Sequence, residues 1–398
     1  MDQVDEVVVI RVVDEHFVEV VDKDLLGLVG KAGREHPCST TDPGQDWSVR
    51  IAPVITQSVT GDPHASTEMR GGGPDDLRIG FRAMASDVNI WIVEPGPLAA
   101  TKLDEARGVF ERVESACTRF DPDSPLMQAN RAGRHWHAVP RELVDAVAAT
   151  VEAYRVTDGL FDPRVLDVLH AYGYGTSLAF ESGPVHVSAD VAHRDSTREL
   201  TRKSPRKWKR AWKPGVDRHR SAIRIGRNPI DLGGIGKGLA VRWAAKALHG
   251  AGRAVLVEAG GDCYAQGRGI DDQGWAIAVE NPFGGTDPIA VLKLSDRAVA
   301  TSSTRLRKWT VGDREVHHLI DPRTQRAADS ELVAVTVVDA DPAAAEVWSK
   351  ALFVAGRAAL RASADSHGLA ALWVDADGRV ATSKAMKRHV VWEITDVR

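Results

Sequence analysis

The order of its apolar segments restricts the fold of this 398-residue chain more than any other feature. Five segments rich in β-branched and other apolar residues are predicted strands: "DVNIWIVE", "AVLVEAGG", "WAIAVE", "ELVAVTVVDA" and "ALWVDA". Three segments with apolar residues at helical spacing are predicted amphipathic helices: "LAATKLDEARGVFERVESAC", "RELVDAVAATVEAYRVT" and "IGKGLAVRWAAKALHG". Several strands follow one another without an intervening helix, which does not fit the alternating order of a Rossmann fold. The sequence therefore predicts an α+β domain.

The composition is that of an ordinary soluble globular protein, with 43% hydrophobic residues, 27% charged residues and a net charge of −4. No segment approaches the run of about 18 apolar residues that a membrane-spanning helix requires. The opening "MDQVDEVVVIRVVDEHF" has acidic residues where a secretory signal has basic ones. Cys38, Cys117 and Cys263 are far apart and odd in number, so they predict neither a disulfide framework nor a zinc site. We expect a cytoplasmic protein with no membrane partner.

The first 77 residues differ in composition from the rest of the chain. The segment "STTDPGQDWSVRIAPVITQSVTGDPHASTEMRGGGPDD" is rich in Gly, Pro, Ser, Thr and Asp and lacks sustained periodicity. The apolar piece before it, "EVVVIRVV", is compatible with a strand but is short and isolated. We therefore expect residues 1–77 to be a poorly ordered N-terminal extension and residues 78–398 to form a single domain.

A basic segment, residues 201–220, carries seven Lys or Arg residues between Arg202 and Lys213, together with Trp208 and Trp212. Basic residues beside aromatic ones can bind phosphate backbones and stack on bases. The chain as a whole is slightly acidic, whereas nucleic-acid-binding domains are usually basic overall. We interpret the segment as a solvated connection and do not expect a nucleic-acid partner; a nucleic-acid or protein adaptor role is the least favoured alternative.

The segment "IDLGGIGKG" joins the end of a strand to the start of a helix through a glycine-rich turn. Glycines allow close backbone approach, and free N–H groups at the start of a helix attract anions. Asp231 precedes the turn and Lys237 follows it, so the segment suits a phosphate or pyrophosphate. It is not a Walker A motif, because Gly238 follows the lysine. A tight turn that serves only helix packing is an equally open interpretation.

Two further turns could contact a ligand. In "TDGLFDPRV", Phe161 and Asp162 place an aromatic ring beside a carboxylate, which could hold a planar heterocycle, although a capping turn has the same pattern. In "VEAGGDCYAQG", a predicted strand ends in Gly260, Gly261 and Asp262, which would permit close approach of a ligand. A β-bulge or an ordinary turn explains this second pattern equally simply.

Two segments near the C-terminus carry reactive side chains. "TSSTRLRKWTVGDREVHHLIDPRTQ" supplies hydroxyl groups at Thr301 and Ser302 and an imidazole at His318, which could act as a general base or be structural. "AAAEVWSKALF" is a predicted helix in which Glu346 and Lys350 lie one turn apart. That pair is either a surface ion pair or the altered form of a metal site.

Taken in order, the motifs "FRAMASDVNIWI", "CTRFDPDSPLMQAN", "TDGLFDP", "IDLGGIGKG", "AGGD", "ATSS", "HHLIDPRT" and "AAAEVWSKALFVAG" resemble the ApbE family, the FAD:protein FMN transferases. The resemblance covers about residues 78–395. It implies a single ApbE-type α+β domain that binds FAD with Mg²⁺ on its pyrophosphate. It also implies transfer of FMN to a Thr or Ser hydroxyl of a target flavoprotein, with release of AMP.

The resemblance assigns roles to individual residues of this chain. It implies FAD contacts at Met84, Phe120, Leu160, Phe161, Asp162, Asp231, Lys237 and Ile320. The turn and hydroxyl motifs add Gly260, Gly261, Asp262, Thr301 and Ser302 as candidate FAD contacts. His318 matches the family's proposed base. The predicted metal ligands are the Gly234 carbonyl, the Glu346 carboxylate and the Ser349 hydroxyl.

The chain also departs from the family pattern at several positions. "MAS" at residues 84–86 replaces Met-Gly-Thr, Arg242 stands where an Asp is usual, and Ser303 and Gln325 each replace a Gly. The metal segment Ala-Asp-x-x-x-Thr reads "AEVWSK" here. The alternative function is therefore a non-catalytic FAD-binding module with a degenerate metal site.

Overall fold

The computed structural model describes residues 9–12, 67–69, 76–180, 183–188 and 211–397. Only the backbone placement is described for residues 9–12 and 67–69. The predicted extension, residues 1–77, and the first half of the basic segment, residues 201–210, therefore lie largely outside the described residues.

The strands of the described chain are β1 Val9–Val12, β2 Thr67–Met69, β3 Leu77–Ala83, β4 Ser86–Pro95, β5 His137–Ala138, β6 His186–Val187, β7 Gly215–Asp217, β8 Ala222–Arg224, β9 Gly252–Ala259, β10 Asp262–Gln266, β11 Trp275–Val279, β12 Ala290–Leu294, β13 Arg297–Ser303, β14 Lys308–Val311, β15 Arg314–His317, β16 Ile320–Asp321, β17 Arg326–Ala327, β18 Leu332–Asp339, β19 Ala370–Asp375, β20 Val380–Thr382 and β21 Val390–Glu393. The α-helices are α1 Ala99–Cys117, α2 Pro125–Arg131, α3 Arg141–Val156, α4 Leu166–Ala171, α5 Gly236–Ala247, α6 Pro342–Ala355 and α7 Arg357–Ser366. Within this described part, no helix is long and apolar enough to cross a membrane.

The largest sheet has nine strands in the order β2-β3-β4-β9-β10-β13-β18-β19-β20, and every neighbouring pair is antiparallel. A second sheet has the order β1-β11-β12-β21, with β1 parallel to β11. Because βαβ crossovers would produce parallel neighbours, an antiparallel main sheet excludes Rossmann topology. The predicted α+β class is confirmed.

The main sheet is buried on both faces. Ile90 and Ile92 of β4 belong to a core shared with α1, α3, α5 and α6, whereas Trp91 and Val93 pack against the second sheet. Trp91 contacts Trp275 of β11 edge to face, with ring centroids 5.7 Å apart. Strands covered on both sides carry continuous apolar runs, which is why these segments are recognisable in the sequence without clear alternation.

Helices α5 and α6 pack closely and carry much of the predicted chemistry. A Cβ on Gly238 would lie 2.7 Å from Ala343 Cα, so glycine is required where α5 crosses the start of α6. Asp341 caps α6 by accepting the Ala343 N–H at 3.0 Å. Arg242 of α5 donates from Nε to Asp341 Oδ1 at 2.7 Å. The departure from the family pattern at Arg242 therefore has a structural role, which is to tie α5 to the cap of α6.

The β3–β4 hairpin contains another departure from the family pattern. Ala83 pairs with Ser86, so Met84 and Ala85 form a two-residue loop. Their φ angles are 56° and 55°, the left-handed values that hairpin loops of type I′ require. Alanine therefore occupies, in a left-handed conformation, the position where the family has glycine.

Replacing Ala85 with glycine should increase the free energy of unfolding by about 0.5 to 1 kcal/mol, because relief of left-handed strain exceeds glycine's additional freedom in the unfolded chain. Urea denaturation would measure the change. As a control, Ala362→Gly at an exposed position inside helix α7 should lower stability by about 1 kcal/mol. If both variants lose stability equally, the hairpin loop is not strained.

Candidate functional site

A two-lobed cavity lies beside the Met84–Ala85 loop, the C-terminal end of α1 and the start of α5. The larger lobe has a volume of about 380 Å³ and the smaller lobe about 100 Å³. Residues common to both are Arg119, Tyr174, Asp231, Gly233 and Arg307. The predicted site residues that line the larger lobe are Met84, Phe120, Asp231 and Lys237, and those that line the smaller lobe are Leu160, Phe161, Asp162, Asp231, Gly234, His318 and Ile320. Residues from most of the sequence motifs therefore meet in one place.

Arg119 is a buried cation where the two lobes meet. Its Nε lies 3.1 Å from Asp231 Oδ1, and its Nη1 donates a hydrogen bond to Tyr174 O. The guanidinium carbon lies 4.2 Å from the ring centroids of both Phe120 and Tyr174. Phe120 remains 37% exposed, so one side of its ring is available for stacking. Asp231, a predicted ligand contact, is therefore one half of a buried ion pair at the junction.

The "GLFD" turn follows α3 and lines the smaller lobe. Asp162 accepts two hydrogen bonds from the Arg164 guanidinium, Nε to Oδ1 at 2.9 Å and Nη2 to Oδ2 at 2.6 Å, and both side chains are 5% exposed. Phe161 lies against the glycine-rich turn, because a Cβ on Gly234 would be 3.0 Å from its Cε2. The Asp162 carboxylate already has a cationic partner within the protein, while the Phe161 ring borders the cavity.

The start of α5 is connected to the β9–β10 hairpin. Lys237 Nζ donates to Gly260 O at 2.8 Å and lies 3.2 Å from Asp262 Oδ2. The Gly238 N–H donates to Glu346 Oε2 at 2.8 Å. One of the N–H groups at the start of α5 is therefore occupied by a carboxylate of the protein itself. Lys237 also lines the larger lobe, where it supplies positive charge.

Glu258 is a buried acid behind this hairpin that the sequence did not indicate. Its carboxylate accepts hydrogen bonds from Asn89 Nδ2 at 2.7 Å and from the Gly261 N–H at 2.8 Å. Burial raises the pKa of Glu258 to about 7, and these hydrogen bonds and Lys237 oppose that rise. Glu258 thus fixes the turn in which Gly260 and Gly261 have positive φ.

The predicted metal segment forms the middle of α6. Glu346 is fully buried, and its Oε1 accepts a hydrogen bond from Lys350 Nζ at 3.1 Å. The Ser349 hydroxyl shares a hydrogen bond with Ser302 Oγ at 2.7 Å and donates to Glu346 O at 2.9 Å. Among the described residues, no group of three or more His, Cys, Asp or Glu side chains could hold a metal ion. With an ammonium group on the one acidic ligand, this donor set does not fit Mg²⁺.

His318 lines the smaller lobe together with Gly234 and Lys350. Its Nδ1 lies 3.2 Å from Arg307 O; because a carbonyl can only accept, Nδ1 carries the proton and Nε2 retains a lone pair. Burial lowers the pKa of His318 well below 6.5, and Arg307, His317 and Lys350 lower it further. The imidazole is therefore neutral at physiological pH, the state that a general base requires.

Five predicted FAD contacts line neither lobe: Gly260, Gly261, Asp262, Thr301 and Ser302. Gly261 and Thr301 border a separate hollow of about 20 Å³, and the Thr301 hydroxyl forms a hydrogen bond with Thr336 Oγ1 at 2.9 Å. The Ser302 hydroxyl is buried against Ser349. These hydroxyl groups hold β13 to β18 and α6, and neither lines the two-lobed cavity.

Sequence reasoning missed several residues that shape the cavity. Arg119, Tyr174 and Arg307 line both lobes, and Arg164 neutralises Asp162. Arg119 and Arg307 stand in the segments that begin "CTRF" and "TSST", so their positions were marked although their roles were not. Arg164 directly follows "FDP", where its hydrophilic side chain gave no sign of burial.

The fold and the cavity define an α+β protein with a ligand site built from aromatic rings, buried ion pairs and a glycine-rich turn. The chain belongs to the ApbE family, whose model matches residues 84–373. Curated relatives include the FAD:protein FMN transferase of Salmonella typhimurium, 24% identical over 264 residues, which are 65% of this chain and 72% of the relative. That of Klebsiella pneumoniae is 26% identical over 254 residues, or 62% of this chain and 73% of the relative. The predicted family resemblance is confirmed.

Solved structures share the fold. The ApbE protein of Thermotoga maritima superposes with a TM-score of 0.64 at 25% identity, over 82% of this chain and 99% of that protein. The flavinyl transferase ApbE of Pseudomonas stutzeri has a TM-score of 0.64 at 21% identity, over 81% of this chain and all of that protein. At such low identity the second comparison supports the fold alone.

Proposed function

We propose that this protein is a FAD:protein FMN transferase, which moves the FMN part of FAD onto a Thr or Ser hydroxyl of a target flavoprotein and releases AMP. Two kinds of observation support the proposal. The chain belongs to the ApbE family, and the relatives from Salmonella and Klebsiella carry this activity in their names. The cavity has the chemistry that FAD requires.

The observation that carries the proposal is the two-lobed cavity with cations near the junction of its lobes. FAD has a planar ring and an adenosine joined by a diphosphate, so it needs apolar surfaces on either side of a positively charged region. Arg119 is shared by both lobes, Lys237 borders the larger lobe and Lys350 the smaller. Phe120 offers an exposed ring for stacking. The larger lobe, about 380 Å³, is within the usual size range of ligand pockets.

In the proposed reaction, the acceptor hydroxyl oxygen forms a bond to the phosphorus atom of the FMN half. The bond between that phosphorus and the bridging diphosphate oxygen breaks, and the bridging oxygen leaves with AMP. The proton of the hydroxyl passes to Nε2 of His318, which is unprotonated because Nδ1 donates to Arg307 O. Lys237 and Lys350 offset the negative charge of the diphosphate.

The Mg²⁺ that the family resemblance implies has no place in this reaction scheme, because Glu346 and Ser349 are engaged within the protein. The engagement of Glu346 and Ser349 within the protein also favours the second candidate function, a module that binds FAD without transferring FMN. Such a module would retain the cavity and the cations but would not modify an acceptor.

Incubation with FAD and an apo-flavoprotein bearing one acceptor Thr should add the mass of an FMN group to the acceptor. Intact-mass spectrometry would detect the gain, and AMP should appear in equal amount. An acceptor with that Thr replaced by Val, which keeps the shape without the hydroxyl, should show no gain. FAD binding without either product would favour the non-catalytic module, and failure to bind FAD would contradict both functions.

A further inference from the structure

The side chain of Lys350 lies between a buried carboxylate and the smaller lobe of the cavity. Its Nζ is 3.1 Å from Glu346 Oε1 and the side chain is 19% exposed, whereas that of Glu346 is 1% exposed. A Cβ placed on Gly234 would lie 3.4 Å from Lys350 Cδ, so the aliphatic part of the lysine runs along the glycine-rich turn. This pair is therefore not an exposed ion pair on the outer face of a helix, because Glu346 is buried and Lys350 lines the smaller lobe.

Two acidic side chains near the start of α5 each contact a lysine ammonium of the protein. Asp262 is paired with Lys237, and Glu346 is paired with Lys350. Glu346 Oε2 also accepts the Gly238 N–H. A divalent cation bound to Glu346 would have to displace or closely approach the Lys350 ammonium, which has no lone pair to offer and repels it.

We propose that the Lys350 ammonium takes the place of the divalent cation and neutralises the diphosphate of FAD directly, so that FAD binding by this protein does not depend on Mg²⁺. The inference rests on the proposed function, since it assumes FAD as the ligand. Lysine binds phosphate groups as a compact point charge, and Glu346 holds the ammonium in position. The Glu346 carboxylate thus positions a cation of the protein where a metal ligand was predicted.

FAD affinity, measured by titration of flavin fluorescence, tests the inference without relying on turnover. Wild-type protein should give the same Kd in Mg²⁺ and in EDTA. The Lys350→Met variant should bind FAD about 10- to 100-fold more weakly in EDTA, because a charge-assisted contact is lost. Lys246→Met is the matched control, since Lys246 is an exposed lysine in the last turn of α5 and should leave Kd unchanged.

Lys350→Met leaves the buried Glu346 carboxylate without its lysine partner, which lowers the stability of the folded state. A second variant therefore tests the inference without that unpaired carboxylate. Glu346→Gln/Lys350→Met removes both charges and keeps an acceptor for the Gly238 N–H, and it should show the same weakened binding. Lys350→Thr frees the Glu346 carboxylate and adds a hydroxyl one turn away, so this variant should require Mg²⁺ for tight binding.

The outcomes separate the inference from the proposed function. Loss of wild-type FAD binding in EDTA would overturn the inference and make Glu346 a working metal ligand, with FAD still the substrate. Unchanged FAD affinity in the folded Lys350→Met and Glu346→Gln/Lys350→Met variants would overturn it as well, because the ion pair would then be structural only. Wild-type protein that binds FAD in neither condition would contradict the proposed function itself, and the inference with it.

Discussion

Replacing His318 with alanine should leave FAD bound and slow FMN transfer by about 10² to 10⁴-fold, the usual contribution of a general base. The expectation follows from the geometry of the imidazole. Nδ1 donates to Arg307 O, so Nε2 keeps a lone pair, and His318 lines the smaller lobe. The rate would be measured as the FMN mass gain of the acceptor, and FAD binding by flavin fluorescence.

The pH dependence of the same reaction should reveal the altered pKa of His318. Burial and the nearby charges disfavour the imidazolium, so the pKa is lowered and the ring stays neutral as pH falls through 6.5. Transfer should therefore lose its activity on the acid side only well below pH 6.5. A loss of transfer activity on the acid side at pH 6.5 or above would show that His318 is not the proton acceptor.

Two controls define what His318 contributes. His135→Ala, at an exposed histidine, should change neither FAD binding nor transfer. If His318→Ala weakens FAD binding as much as it slows transfer, His318 is a structural residue of the cavity. Unfolding of the variant by denaturant would show whether the replacement has also lowered stability.

Replacing Asp162 with alanine should lower the free energy of unfolding by about 3 to 5 kcal/mol, and Arg164→Ala should have an effect of similar size. Each replacement removes one member of an ion pair in which both side chains are 5% exposed. The double variant should lose less than the sum of the two single losses, because both single replacements break the same ion pair. Denaturant unfolding of the four proteins would measure the coupling.

The Glu152–Arg155 pair on α3 provides a matched control. Its side chains are 59% and 70% exposed, so Arg155→Ala should change stability by no more than about 1 kcal/mol. If Asp162→Ala instead leaves stability intact and weakens FAD binding, the carboxylate contacts the ligand directly. That result would confirm the sequence prediction that Asp162 contacts FAD.

The family of this protein, its longer helices and five of its strands could be read from the sequence, because these features depend on local patterns. Helices α1, α3 and α5 agree with the predicted segments, since amphipathic spacing repeats within one helix and needs no knowledge of the partner surface. The predicted strands agree because burial on both faces keeps their residues apolar. The order of the motifs was sufficient to indicate the ApbE family.

Which charges neutralise one another was decided only by the tertiary structure. Glu346 accepts the N–H of Gly238, which lies 108 positions earlier in the chain, and Arg119 pairs with Asp231 across a similarly long separation. Such contacts depend on how α5, α6 and the loops pack, and no periodicity within one segment encodes them. The sequence by itself determined which reactive groups the chain carries. Packing determined which of those groups border the ligand cavity, because burial forces each charged group to take a partner from whichever element lies beside it.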